Sequence, residues 1–298
     1  MTGPDPAAPG FAAGIEAWRP PDMHEHDTIT AGPAAGFAAL LDQPSPVRAD
    51  GDLLPPLWHW FYFPVHHPQA ALGPDGHPRD TGFMPPVDYG RRLFGGGRMW
   101  TYGGLRCGDE VQRRTSVAAA RTRTGRSGEM LIVTLRSELS VAGELRLAEE
   151  REVVYLADPR GARPEGSDPN RPVPGQVVPA EPEPTWRLSI PPDPVLLFRF
   201  SALTHNTHRI HYDRSYATDV EGQPGLLVHG PLLALLLLEL PRRHEVPVTS
   251  FDWRVRRPVF DHETIECRGD RSGDSARLSA SAGGGGDRVS GQATLAGG

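Results

Sequence analysis

The chain has 298 residues and a mass of 32.4 kDa, and its 31 basic side chains, all arginine, face 37 acidic ones for a net charge of −6. That balance argues against a nucleic-acid or anionic-membrane partner, because both need clustered positive charge. Cys107 and Cys267 lie far apart in no metal or disulfide spacing. Together with the lack of a basic-then-apolar leader after Met1, this reads as a reduced, cytoplasmic setting.

In chain order, residues 1–24 read as a flexible lead and 31–41 as a short helix ending before Asp42 and Pro44. An aromatic cluster at 58–63 and a Pro- and Gly-rich stretch follow, together suggesting an ordered, packed loop. Residues 111–121, 130–139 and 144–156 carry strand signals separated by tight turns, an antiparallel meander. Residues 158–184 form a Pro/Gly-rich linker, so the chain divides into units at 25–157 and 185–298. The second unit opens at 186–190, continues with a strand expected at 195–201, and then has a helix over 231–240. That helix is apolar all round and so must be buried. It is also about half the ~20 residues of a membrane span. Strands are expected at 247–256, 264–268, 276–282 and 289–295, with either a hairpin turn or a disordered glycine-rich tip at 283–286. A buried helix followed by a curled antiparallel sheet is an α+β layer, and the two halves suggest one architecture used twice.

Chemistry concentrates in Ala202-Leu-Thr-His-Asn-Thr-His-Arg-Ile-His-Tyr-Asp213, followed by Tyr216 and by Leu226-Leu-Val-His-Gly230. On residue types alone, a structural histidine is the better reading of His211. His205, His208 and His211 are three apart and, with His229, invite a metal reading. They lack the cysteine or carboxylate partners that often complete zinc sites, and no metal is expected.

The 202–213 string resembles the hydratase motif of MaoC-like hot-dog enzymes, with Asn206 five residues before His211 at a strand-to-helix turn. It is most similar to the subset holding mesaconyl-C4-CoA and itaconyl-CoA hydratases and type 2 hydroxyacyl-thioester dehydratases. The segments LPPLWHWFYF, DGHPRDTGFMPP, GRRLFGGGRMW, GRSGEMLIVTL and EEREVVYL extend that resemblance over roughly residues 25–295. It implies a double hot dog, two fused units each wrapping a sheet around a helix. The catalytic motif would lie in the second unit, and the first would shape the acyl pocket.

It also implies a hydro-lyase acting across the 2,3 double bond of an enoyl thioester, with CoA favoured and a C4–C5 mesaconyl- or itaconyl-type acyl group. His211 is then the acid/base, since an imidazole titrates near 6.5, with Asn206 as its partner. An amide cannot titrate, so Asn206 could only orient water or substrate. Gly230 and His229, where the buried helix starts, are implied as the thioester-oxygen site, and a helix N-terminus favours negative charge on its own account. Arg209 could grip a substrate anion or pair with Asp213. Arg98 and Arg92, beside the glycines at 95–97, raise the same question for CoA phosphates, and Tyr216 is taken as substrate-binding. No cofactor is expected beyond the CoA or phosphopantetheine of the substrate. A carrier-protein-bound acyl chain, a non-catalytic thioester-binding protein and a thioesterase are the alternatives, and monomer and homodimer both stay open.

Overall fold

A computed structural model of the protein describes residues 10–79, 82–87, 91–125, 128–157 and 183–296. Its frame is a single antiparallel sheet of ten strands: β1 Met23–Thr28, β2 Arg91–Thr101, β3 Glu110–Gly125, β4 Gly128–Val141, β5 Glu144–Leu156, β6 Trp186–Ile190, β7 Val248–Val255, β8 Ile265–Ser272, β9 Ser275–Ala282 and β10 Val289–Leu295. Across the sheet they run β1-β3-β4-β5-β2-β7-β10-β9-β8-β6. Read outward from the middle, each half has the same order, and the halves join through the second strand of each. One architecture is therefore repeated.

The alternation of small inward and polar outward residues explains the curl of the second half. In β9, Ala276, Leu278, Ala280 and Ala282 face inward, while Arg277, Ser279 and Ser281 do not. The three inward alanines leave room for α4, Gly230–Arg243, whose residues 232–238 are all at most 5% exposed. Each buried leucine of that run contributes roughly 1.5–3 kcal/mol. In the first half, α2 (Ala31–Leu40) stands between β1 and β2 in the chain. Its Phe37 packs edge-on against Trp58, 5.0 Å away between ring centres, and against Phe200 of the second half at 6.3 Å. One apolar core thus runs through both units.

At the seam, β2 and β7 pair from Gly96↔Arg254 to Trp100↔Ser250. A side chain at Gly97 would put its Cβ 2.3 Å from the Glu150 carbonyl oxygen, and Gly96 sits at φ +141° against the Trp253 backbone. Gly96 and Gly97 therefore serve the close joining of these strands.

Several expectations need correction. The stretch expected as a strand at 195–201 is a helix, α3 (Pro194–Leu203). Its start signal is complete: Asp193 accepts the Leu196 N–H at 2.7 Å and Pro194 fits the first turn. The short apolar run Val195–Phe198, which suits a buried strand as well as a helix, masked it. The lead is not uniformly flexible. Phe11, in the short helix α1 (Phe11–Ile15), is 3% exposed against Leu131, Val133 and Tyr155, and β1 begins at Met23. β2, hidden by its glycines, was not expected as a strand. Most of the linker lies outside the described residues. Cys107 and Cys267 are free and buried, and no helix among the described residues is long and apolar enough to cross a membrane.

Candidate active site

The segment after α3 turns sharply. His205 takes φ +50° and the Asn206 N–H donates to the Ser201 carbonyl at 2.9 Å. The Asn206 Oδ1 then accepts the His208 backbone N–H at 3.1 Å, a local Asx bond that leaves the amide NH2 as the group Asn206 can offer. A short 3-10 turn, Arg209–His211, carries His211 inward.

His211 is 7% exposed, and its Nδ1 lies 2.7 Å from the Leu227 carbonyl. A carbonyl only accepts, so Nδ1 carries the proton and Nε2 keeps its lone pair. Burial lowers its pKa to about 4, partly opposed by the Leu227 bond and reinforced by His77. The His229 ring stacks on His211 at 3.7 Å, with its Nε2 2.9 Å from the Ser201 hydroxyl and its buried Nδ1 without a hydrogen-bond partner. Burial, then the neighbouring His211 and His208, hold it well below the ordinary imidazole range. His229 is the N-cap of α4, so the Gly230 N–H stands at the positive end of a fourteen-residue helix.

A loop of the first half closes over this segment. Gly76, at φ +91°, approaches the Thr207 carbonyl so closely that a Cβ would sit 1.9 Å from it. The Thr207 hydroxyl donates to the Gly76 carbonyl at 2.6 Å, and the Arg209 N–H donates to the Asp75 carbonyl at 2.8 Å. The loop thereby delivers His77, whose Nδ1 is 3.0 Å from the Asp75 carboxylate and whose ring lies 4.1 Å from that of His208. His208 in turn meets His211 edge-on at 5.7 Å. His208 thus stands between two imidazoles. Burial, then His77 and His211, lower its pKa to about 2.

Asp75, His77 and His208 bring one ligand atom each within 4.8 Å of one another, the only such trio among the described residues. The four histidines weighed as a metal set do not converge. His205 packs against His66, and His211 and His229 direct ring nitrogens to Leu227 and Ser201.

A cavity of about 480 Å³ ends at this segment. Leu203–Thr207 form one side; Trp60–His67, Leu72, His77, Arg92, Arg113 and Arg151 of the first half form the rest. His211 and Gly230 do not line it. Trp58 of the aromatic cluster is buried in the core, and Trp60–Phe63 line the cavity.

The arginines sort clearly. Arg209 is engaged by Asp213 at 2.7 Å and the Pro74 carbonyl at 2.9 Å, and lies 4.2 Å over the Tyr216 ring, so the ion-pair alternative is the one realised. Tyr216, 8% exposed, is a platform beneath it. Arg98 points outward from the seam, half exposed, to Asp252 at 3.1 Å, away from the cavity. Arg113 forks onto Glu25 at 2.7 and 2.8 Å. Arg92 lines the cavity with no ion pair or hydrogen bond among the described residues and lowers the pKa of His77. Asp75 and His77 had no role in the sequence reading; the Asp-Gly-His spacing within a turn-rich loop was the one signal.

A repeated helix-and-sheet unit joined edge to edge defines the class: a double hot dog. Solved structures agree on the fold. A MaoC-like dehydratase superposes with a TM-score of 0.66 at 14% identity, covering 96% of this chain and 99% of that one. A Mycobacterium tuberculosis protein described as having a double hotdog fold gives 0.55 at 18% identity, covering 96% and 98%. The model of the hydroxyacyl-thioester dehydratase type 2 family matches residues 57–261. The mesaconyl-C(4)-CoA hydratase of Chloroflexus aurantiacus is 40% identical over 265 residues, 89% of this chain and 91% of that protein. The chain belongs to the hydroxyacyl-thioester dehydratase type 2 family and is a hydro-lyase of acyl thioesters.

Proposed function

We propose that the protein adds water to, or removes it from, the 2,3 double bond of a CoA thioester with a C4–C5 dicarboxylyl acyl group of the mesaconyl type. The observation that carries the reading is the lock on His211: with Nδ1–H given to the Leu227 carbonyl, Nε2 is a neutral base in a buried site. In hydration, Nε2 takes a proton from water as the oxygen bonds to C3. Negative charge grows on the thioester oxygen, where the Gly230 N–H and the helix behind it stabilise it. Asn206 positions the water through its amide. The acyl carboxylate falls to Arg92, the cavity arginine without a partner. The relative at 40% identity, named for mesaconyl-C(4)-CoA, supports this acyl class. The chemistry calls on no group beyond the chain and its thioester substrate.

The test mixes the protein with crotonyl-, mesaconyl- and itaconyl-CoA separately, following enoyl-thioester absorbance and mass. Gain of one water with a dicarboxylyl ester, abolished in His211→Ala, is expected. Turnover of crotonyl-CoA alone would overturn the acyl class, and turnover of carrier-bound acyl chains alone would overturn CoA as the handle.

A further inference from the structure

We propose that His77, held by Asp75, is the second proton-transfer group of this site, supplied by the first half of the chain to work with His211 of the second. The inference rests on the hydro-lyase reading and adds what that reading lacks. Hydration involves two proton events, loss from water and gain at C2. The motif position that could have carried the second titratable group holds Asn206, which has no proton to exchange in this range.

The geometry fills that gap from 131 residues away in the chain, the separation across the Thr207–Gly76 bond that docks the loop. His77 lines the cavity beside Asn206, and its side chain is 14% exposed. Its Nδ1–H is given to a carboxylate, which only accepts, so Nε2 is the nitrogen free to act, as in His211. The two rings differ in one respect that assigns their roles. His211 has a neutral carbonyl behind it, whereas His77 has an anion, so the imidazolium state falls to His77. Burial works to raise the Asp75 pKa, but the side-chain and backbone bonds from His77 outweigh it and hold it at about 2, so the anion persists. Burial outweighs the Asp75 bond and charge, Arg92 adds to it, and the His77 pKa stays below the ordinary imidazole value, so the imidazolium that Asp75 favours is the form below that lowered pKa. The charged and titratable groups facing His77 are Asp75 on its own loop, His208 and His211 from the motif segment, and Arg92 from β2. Tyr216 and Glu221 stand behind Asp75.

In the hydration direction the step balances as follows. Water's oxygen bonds to C3 as one of its protons passes to Nε2 of His211. The π pair of the double bond moves toward C2 and the thioester carbonyl. Nε2 of the His77 imidazolium then releases its proton to C2, leaving His77 neutral. The proton on His211 returns to His77 across the intervening His208 ring or a water, which resets the pair. Dehydration runs the same transfers backwards.

Three variants test this with the full-length protein and whichever thioester turns over best. His77→Gln is expected to lower kcat by roughly 10²- to 10⁴-fold, with KM changed less than threefold and unfolding temperature retained. It should also remove the high-pH limb of the kcat profile, where the acid would be lost, and leave the low-pH limb of His211. Asp75→Asn is expected to move that high-pH limb to lower pH, because the imidazolium loses its anion. His77→Asn, which shortens the same amide, guards against a packing artefact. A folded His77→Gln protein with kcat within threefold of wild type, or slowed but with both limbs unmoved, would overturn the proposal. So would activity lost to a chelator and restored by zinc, since the trio would then be a metal centre. An independent arm needs no turnover: NMR of the imidazole protons should show a hydrogen-bonded Nδ1–H on His77 that vanishes in Asp75→Asn. Its absence in the wild-type protein sinks the dyad even if no thioester reacts. Failure of His211→Ala to lose activity instead strikes the parent reading.

Discussion

His211 ties stability to pH through one buried ring. Its folded pKa, about 4, lies below the ordinary 6.5, so the unfolded chain takes up the proton first as pH falls. This contribution to stability is complete above pH 6.5 and is lost progressively down to pH 4, amounting to roughly 3 kcal/mol. His211→Asn should therefore flatten the acid limb of a denaturant-midpoint series over that window; an unchanged limb would show that other groups control it. Arg92 offers a second single-residue test. Arg92→Met should raise KM for a dicarboxylyl thioester by about 10- to 100-fold, the worth of one charge-assisted hydrogen bond, and leave crotonyl-CoA kinetics nearly unaltered. An equal change for both substrates would refute carboxylate recognition.

At the scale of elements, legibility followed whether the signal was local. The buried leucine helix, the three-strand meander and the last four strands were readable because period and turn residues lie side by side in the chain. α3 reads as a strand because its short continuous apolar run outweighs the Asp193–Pro194 start. Asp193→Ala should cost about 1 kcal/mol in urea unfolding, and no change would mean tertiary contacts alone hold that helix. Leu235→Ala, at 0% exposure in α4, should cost about 2–5 kcal/mol and reports the shared core. Within the proposed site, Asn206, His211, His229 and Gly230 lie in one short stretch, so a sequence motif can single them out for the roles proposed above. The Asp75–His77 pair was not legible in this way, because its meaning depends on a loop docking onto residues more than a hundred positions later, and no local pattern encodes that meeting.

For the molecule as a whole, the β2–β7 seam is the decisive join. Gly97→Val would drive a side chain into the Glu150 carbonyl and the Trp253 ring, and neither strand can retreat without breaking ladder bonds with a second neighbour. The expected cost is about 3 kcal/mol or more, with loss of activity on the same denaturation curve. A variant that unfolds normally would show the seam to be pliable. Within that repeated strand order the halves differ in their helices: α4, buried nearly all round, occupies the second half, while α2 in the first half packs on α3, and first-half loops wall most of the cavity.

The docking of loop 73–79 onto segment 204–209 has a consequence for how such a gene can be divided. A reading frame beginning at residue 183 would encode His211, Asn206 and Gly230 intact, yet without the opposite wall of the cavity. One ending at residue 157 would encode Asp75, His77 and Arg92 with nothing to act beside. Carried as two adjacent frames, the halves would have to be made together to rebuild a cavity whose walls come from both.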